Sequence, residues 1–154
     1  MNNAAEIRDL YRELILDHAR APRNFGKLEE STHAADGINP LCGDKLHIYL
    51  RIVDGRIDDM RFEGSGCAIS VASASLLTEI VVGLPVESAG AYFKTVTTRL
   101  TRADSPAPID DDKLEKLIAL EGVRDYPSRV KCATLAWHAL HAALSNSTAP
   151  ATTE

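Results

Sequence analysis

Little of this sequence is aromatic, only 5% of its residues, and no apolar run approaches the ~18 residues a membrane-spanning helix needs. The chain is expected to stay in water, with no membrane partner. Lysine and arginine number 17 against 22 aspartates and glutamates, and the resulting net charge of -5 lacks the basic footprint of a nucleic-acid binder. No nucleic-acid partner is expected; a protein partner is. The first residues, Met-Asn-Asn-Ala-Ala-Glu, lack the basic region followed by an apolar one that marks export, so a cytoplasmic, reducing setting is expected. Cysteine is scarce as well. Three of them, an odd number and far apart, do not make a disulfide framework and point instead to metal or redox chemistry.

What is present is an ordinary globular composition, 45% apolar and 25% charged over 154 residues, enough for one domain with a real core. That domain is expected to run over residues 1–145, with 146–154, small and polar, as a disordered tail. Ala5 to Arg20 places Ile7, Leu10, Tyr11, Leu14, Ile15 and His18 on one helical stripe, ended by Pro22 and the Asn24-Phe25-Gly26 turn. A short edge strand is expected around His33 to Gly37. Leu46 to Val53 alternates as a strand, and Arg56 to Glu63 is its antiparallel partner across Asp54-Gly55. A plain two-residue turn would set Leu50 against Asp59; shifting the register by one sets Leu50 against Met60 and Ile48 against Phe62. The apolar pairing requires a bulge. Ala68 to Val82 is apolar or small on nearly every side, a buried central helix. Gly83 ends it, and Pro85 opens another that runs to about Leu100. A short helix is expected over Asp110 to Leu120, and a last one from Pro127 to about Ser145.

Chemistry concentrates at the cysteines. Pro40 and Gly43 bracket Cys42 in a turn, and Asp44 follows two residues on, so a thiol and a carboxylate share one small space and make half of a four-coordinate metal site. Two more soft ligands are needed. Cys67 ends the glycine-rich run Gly64-Ser65-Gly66 at the start of the buried helix, where free N-H groups and the helix dipole favour a thiolate. Cys132 stands near the start of the last helix with Arg129 one turn before it on the same side. A lone cysteine is usually structural, but three in glycine turns or opening helical turns sit where thiolates are stabilised and exposed. Arg129 is either a solvated surface arginine or a holder of anionic sulfur. At about 100° per residue, His138 and His141 turn well away from Cys132, and His18 and His47 read as hydrogen-bonded packing residues.

Three ordered motifs, Asn39-Pro-Leu-Cys42-Gly-Asp44, Gly64-Ser-Gly-Cys67-Ala-Ile-Ser and Arg129-Val-Lys-Cys132-Ala-Thr-Leu-Ala-Trp, resemble the NifU N-terminal/IscU scaffold superfamily of iron-sulfur cluster assembly. The resemblance runs from Tyr11 to about Leu144 and is strongest to the SufU branch. Lys131 stands where the IscU type has a histidine before its third cysteine, and the Cys67 to Cys132 segment is long enough for an extra helix.

The resemblance implies an α+β fold, a small antiparallel sheet covered by helices with the metal site at one exposed end. It also implies zinc held by Cys42, Asp44, Cys67 and Cys132. The protein would accept persulfide sulfur from a SufS-type, pyridoxal-phosphate-dependent cysteine desulfurase and pass it to a downstream cluster scaffold. Three thiolates and a carboxylate suit tetrahedral zinc, and a hard oxygen beside soft sulfurs is the more readily exchanged ligand. Cys42, on a loop free to swing, is the expected nucleophile, and Arg129 the group that steadies the sulfur. The same four ligands equally suit a transient 2Fe-2S cluster on a scaffold, and a structural-zinc module without sulfur chemistry is the third reading.

Overall fold

Leu46, Ile48 and Leu50, interleaved with Lys45, His47 and Tyr49, do form a strand with one dry face and one wet one. The computed structural model describes residues 4–40, 43–101, 127–145 and 151–152. In chain order these hold α1 (Ala4–Arg20), β1 (His33–Asn39), β2 (Asp44–Val53), β3 (Arg56–Ser65), α2 (Ala68–Val81), α3 (Val86–Thr101), α4 (Pro127–Leu144) and β4 (Ala151–Thr152). The expected helix over Asp110 to Leu120 lies outside the described residues, as do the side chains of Ile7, Leu10 and Tyr11. The sheet order is β3-β2-β1-β4. Its first three strands are antiparallel and helices cover one face, so the fold is α+β.

The β2–β3 hairpin has the bulged register that the apolar pattern requires. Ile48 faces Phe62 and Leu50 faces Met60, while Ile52 pairs with Ile57 and Arg51 with Asp59, which leaves Asp58 as the extra residue. Without that extra residue, Ile57 and Met60 could not both point inward; with it both are fully buried. Asp54 (φ 52°) and Gly55 (φ 75°) make the turn, the pair of positive φ angles that matches strand twist. The tip does not hang free. Gly55 O accepts the Val86 amide at 2.9 Å, Leu84 O accepts that of Ile57 at 2.9 Å, and Ile57 O accepts that of Gly83 at 2.7 Å. This ties the hairpin to the α2–α3 junction.

β1 extends two residues beyond the expected strand, to Asn39, and pairs along β2 as far as Asp44. It is not a bare edge: within the stretch expected to be a tail, Ala151–Thr152 form β4 and pair parallel to Gly37–Ile38. Gly37 has a packing reason. A Cβ there would meet Ala139 and Leu135 at 3.2 Å, so its absence lets α4 lie close on β1.

α2 is the central element, as its apolar composition predicts, but its buried polar residues do much of the docking. Ser73 donates to Ala133 O of α4 at 2.6 Å, and Ser75 Oγ lies 2.7 Å from His18 Nδ1 of α1. His18 is therefore a buried, hydrogen-bonded packing residue, with Glu79 3.5 Å from its Nε2. Buried hydroxyls without such partners would be costly, so these bonds fix where α1 and α4 dock. No helix among the described residues is long and apolar enough to cross a membrane.

Candidate metal centre

The strand pairing that ends at Asn39 and Asp44 delivers both residues, fully buried, to the N-terminus of α2. Cys67 is the N-cap of that helix, and its own side chain makes no capping bond. Asp44 caps the helix from across the sheet. Its Oδ1 accepts the Cys67 amide at 2.9 Å and its Oδ2 accepts the Ser70 hydroxyl at 2.7 Å. A carboxylate at a helix N-terminus is favoured by both the free N-H groups and the dipole. Burial pushes the Asp44 carboxyl up, yet the bonds from Ser70, the Cys67 amide, Cys132 and Asn39 outweigh it and hold the group below the usual carboxylate value. It is ionised near neutral pH.

Asp44 thus belongs to the sheet and not to the turn that brackets Cys42. It is the first residue of β2, held at both oxygens, because the β1–β2 ladder runs two residues further than the alternation of apolar side chains reveals. Gly66 makes the close fit possible. A Cβ at that position would lie 2.6 Å from Asp44 Oδ1.

Cys67 is half-buried and its sulfur lies 3.9 Å from Asp44 Oδ2. Cys132 is fully buried, where the sequence suggests exposure. It is the sixth residue of α4, one turn past the free N-H groups, and its sulfur sits 3.7 Å from Asn39 Nδ2 and 3.4 Å from Ser128 O. The metal-ligating atoms of Asp44, Cys67 and Cys132 all fall within 4.8 Å of one another. Donors around a tetrahedral zinc ion, at bonds of about 2.0–2.3 Å, lie roughly 3.5 Å apart, so small side-chain movements suffice for these three to share one ion. Two thiols and an ionised carboxylate are a donor set that fits zinc or an iron-sulfur cluster.

Arg129 is exposed on α4, one turn before Cys132. The Cys67 sulfur beside it, and then a hydrogen bond to the Cys132 sulfur, raise its guanidinium further above its ordinary value. Both described sulfurs therefore bear on its charge. Cys42, the fourth expected ligand, lies outside the described residues. The histidines stay away from the centre: His138 and His141 pack on Phe93, with ring centroids at 5.4 Å and 4.6 Å, and His47 hydrogen-bonds Asp36 on the outer sheet face.

Two residues of the site escaped the sequence reading. Asn39 and Ser70 belong to the cysteine motifs, but only the approach of distant segments gives them a role. A serine three residues after the N-cap cysteine was the available signal for Ser70, since a polar side chain at that position often takes part in capping.

Residues 10–133 match the family model of the NifU-like N terminal domain. The chain belongs to that family. It is 39% identical over 140 residues to the zinc-dependent sulfurtransferase SufU of Bacillus subtilis, covering 91% of this chain and 92% of that protein. It is 38% identical over 141 residues to the iron-sulfur cluster assembly scaffold protein IscU of Thermotoga maritima, covering 92% and 96%. Among solved structures, the N-terminal part of a nitrogen-fixing NifU-like protein from Brucella abortus superposes with a TM-score of 0.80 at 28% identity, covering 91% of this chain and 95% of that one. This NifU-like chain is thus a member of the iron-sulfur cluster assembly family that includes SufU and IscU, and shares its α+β fold.

Proposed function

We propose that the protein is a zinc-dependent sulfur acceptor for iron-sulfur cluster assembly. It would take persulfide sulfur from a SufS-type, pyridoxal-phosphate-dependent cysteine desulfurase and pass it to a downstream cluster scaffold. The observation that carries this reading is the convergence of Asp44, Cys67 and Cys132 on one point, with the exposed Arg129 one turn before Cys132 on the same helix. Similarity to a zinc-dependent sulfurtransferase supports it. Cys42, two residues before Asp44, would complete the set. Bound zinc would supply the Lewis acid that keeps the acceptor thiol deprotonated at neutral pH.

The chain's own residues do the rest. The Cys42 thiolate attacks the terminal sulfur of the donor's cysteine persulfide; a new S–S bond forms at Cys42, the donor's S–S bond breaks, and the electron pair leaves on the donor thiolate. Nothing is oxidised overall. Arg129 holds the anionic sulfur through charge-assisted hydrogen bonds, and Asp44, fixed by Ser70 and the Cys67 amide, keeps its carboxylate at the centre. A second reading, a scaffold carrying a transient 2Fe-2S cluster on the same ligands, is favoured by the similarity to IscU, which is nearly as high.

Persulfide labelling and mass spectrometry after incubation with desulfurase and cysteine test the proposal. Label is expected on Cys42 and absent from Cys42→Ala, which still binds zinc. Label on Cys67 or Cys132 with Cys42 unmodified would show that the acceptor is misassigned. Absence of any label, with visible absorption from iron and sulfide, would establish the scaffold reading instead.

A further inference from the structure

We infer that Ser70 is a positioning residue for the metal centre, its hydroxyl locking the Asp44 carboxylate in the orientation that turns an oxygen toward the two cysteine sulfurs. The inference rests on the reading that Asp44, Cys67 and Cys132 hold zinc. Ser70 is fully buried at the third helical position of α2, and its oxygen has neighbours on all three ligand-bearing segments. It lies 2.7 Å from Asp44 Oδ2, 3.7 Å from Cys67 Sγ and 3.4 Å from Cys132 O.

A serine hydroxyl has one proton to give. The shorter contact, to a charged acceptor, takes it in preference to the longer one to a neutral carbonyl. One hydrogen bond would leave the carboxylate free to turn about its Cβ–Cγ bond. Two bonds on different oxygens, the Cys67 amide on Oδ1 and Ser70 on Oδ2, remove that freedom. Each carboxylate oxygen keeps a second lone pair, so the hydroxyl orients Oδ2 without using up its capacity to bind a metal. Oδ2 is the oxygen that stands 3.9 Å from Cys67 Sγ. Ser70 thus acts on the centre through Asp44, and the partner that orients a metal ligand commonly carries a tenfold to hundredfold share of affinity.

The test is zinc affinity by competition with a chromogenic chelator for the wild type, Ser70→Ala, Asp44→Ala and the double variant, with melting of each metal-free protein alongside. Ser70→Ala is expected to weaken zinc about 10- to 100-fold. On the Asp44→Ala background the same change should leave affinity as it is, because nothing remains to orient. Ser70→Thr, which keeps the hydroxyl, should restore most of the loss. A merely structural Ser70 would lower metal-free melting and weaken zinc equally in both backgrounds, and that result overturns the inference. So does unchanged affinity in Ser70→Ala when the wild type binds zinc. Failure of the wild type itself to bind zinc would overturn the proposed function, and this inference with it.

Discussion

Gly66→Ala should damage the candidate metal centre although Gly66 has no side chain to offer it and its φ lies outside the left-handed region that demands glycine. The new methyl carbon would stand 2.6 Å from Asp44 Oδ1, 3.0 Å from its Cγ and 3.1 Å from its Cβ. Real carbon atoms do not approach an oxygen so closely, so Asp44 must retreat by most of an ångström. It is not free to do so. Bonds of 2.9 Å and 2.7 Å hold its two oxygens, and moving away sacrifices at least one of them. Losing a hydrogen bond to a charged group costs about 1.5–3 kcal/mol, and accepting the overlap instead costs about 1–3 kcal/mol. These are alternatives, so the metal-free protein should lose about 2 kcal/mol, a change of roughly 30-fold in its unfolding equilibrium. Urea unfolding of chelated protein measures this, and zinc competition should show a parallel loss of affinity. On an Asp44→Ala background the obstructing atoms Oδ1 and Cγ are gone, and Gly66→Ala should cost little more. Wild-type stability in the single variant, or the same loss in both backgrounds, would refute the steric argument.

Arg129→Gln should leave zinc affinity nearly unchanged and slow persulfide appearance on the protein, because an exposed guanidinium one turn before Cys132 can stabilise anionic sulfur but has no lone pair to ligate a metal. Zinc lost in step with transfer would mean that Arg129 holds the fold of the site rather than the sulfur. Burial of His138, and secondarily the neighbouring His141, lowers its pKa from 6.5. The unfolded chain then binds the proton more readily, so the contribution of His138 to stability is present above about pH 6.5 and lost as pH falls through the depressed folded value. His138→Gln should flatten the pH dependence of urea midpoints over that acidic window, and an unchanged slope would remove His138 as its source.

The parts of this fold that were legible in the sequence are those written in short-range periodicity. Strand alternation requires a bulged register, since only that sets Leu50 against Met60, and the structure places the extra residue at Asp58. The small and apolar run after Cys67 marked the buried helix in the same way. The centre itself is a meeting of segments far apart in the chain: Ser70 reaches back to Asp44, and Cys132 meets Asn39 at the end of β1. Local pattern shows that cysteines stand at turns and helix starts. It does not show that Cys132 becomes buried, or that Asp44 leaves the turn for the ladder, because those outcomes depend on how α4 and β1 close over α2. β4 was illegible for a related reason, as two small residues recruited by a strand edge carry no periodicity of their own.

The hairpin tip at Asp54–Gly55 has a practical consequence for anyone building on this scaffold. A surface turn between two strands is ordinarily the first place to splice a reporter or an epitope, since loop tips tolerate added length. Here the turn doubles as a clasp, with Gly55 O, Ile57 and the Val86 amide engaged across the α2–α3 junction. A guest sequence at this position would open the clasp and loosen the junction between the central helix and its neighbour.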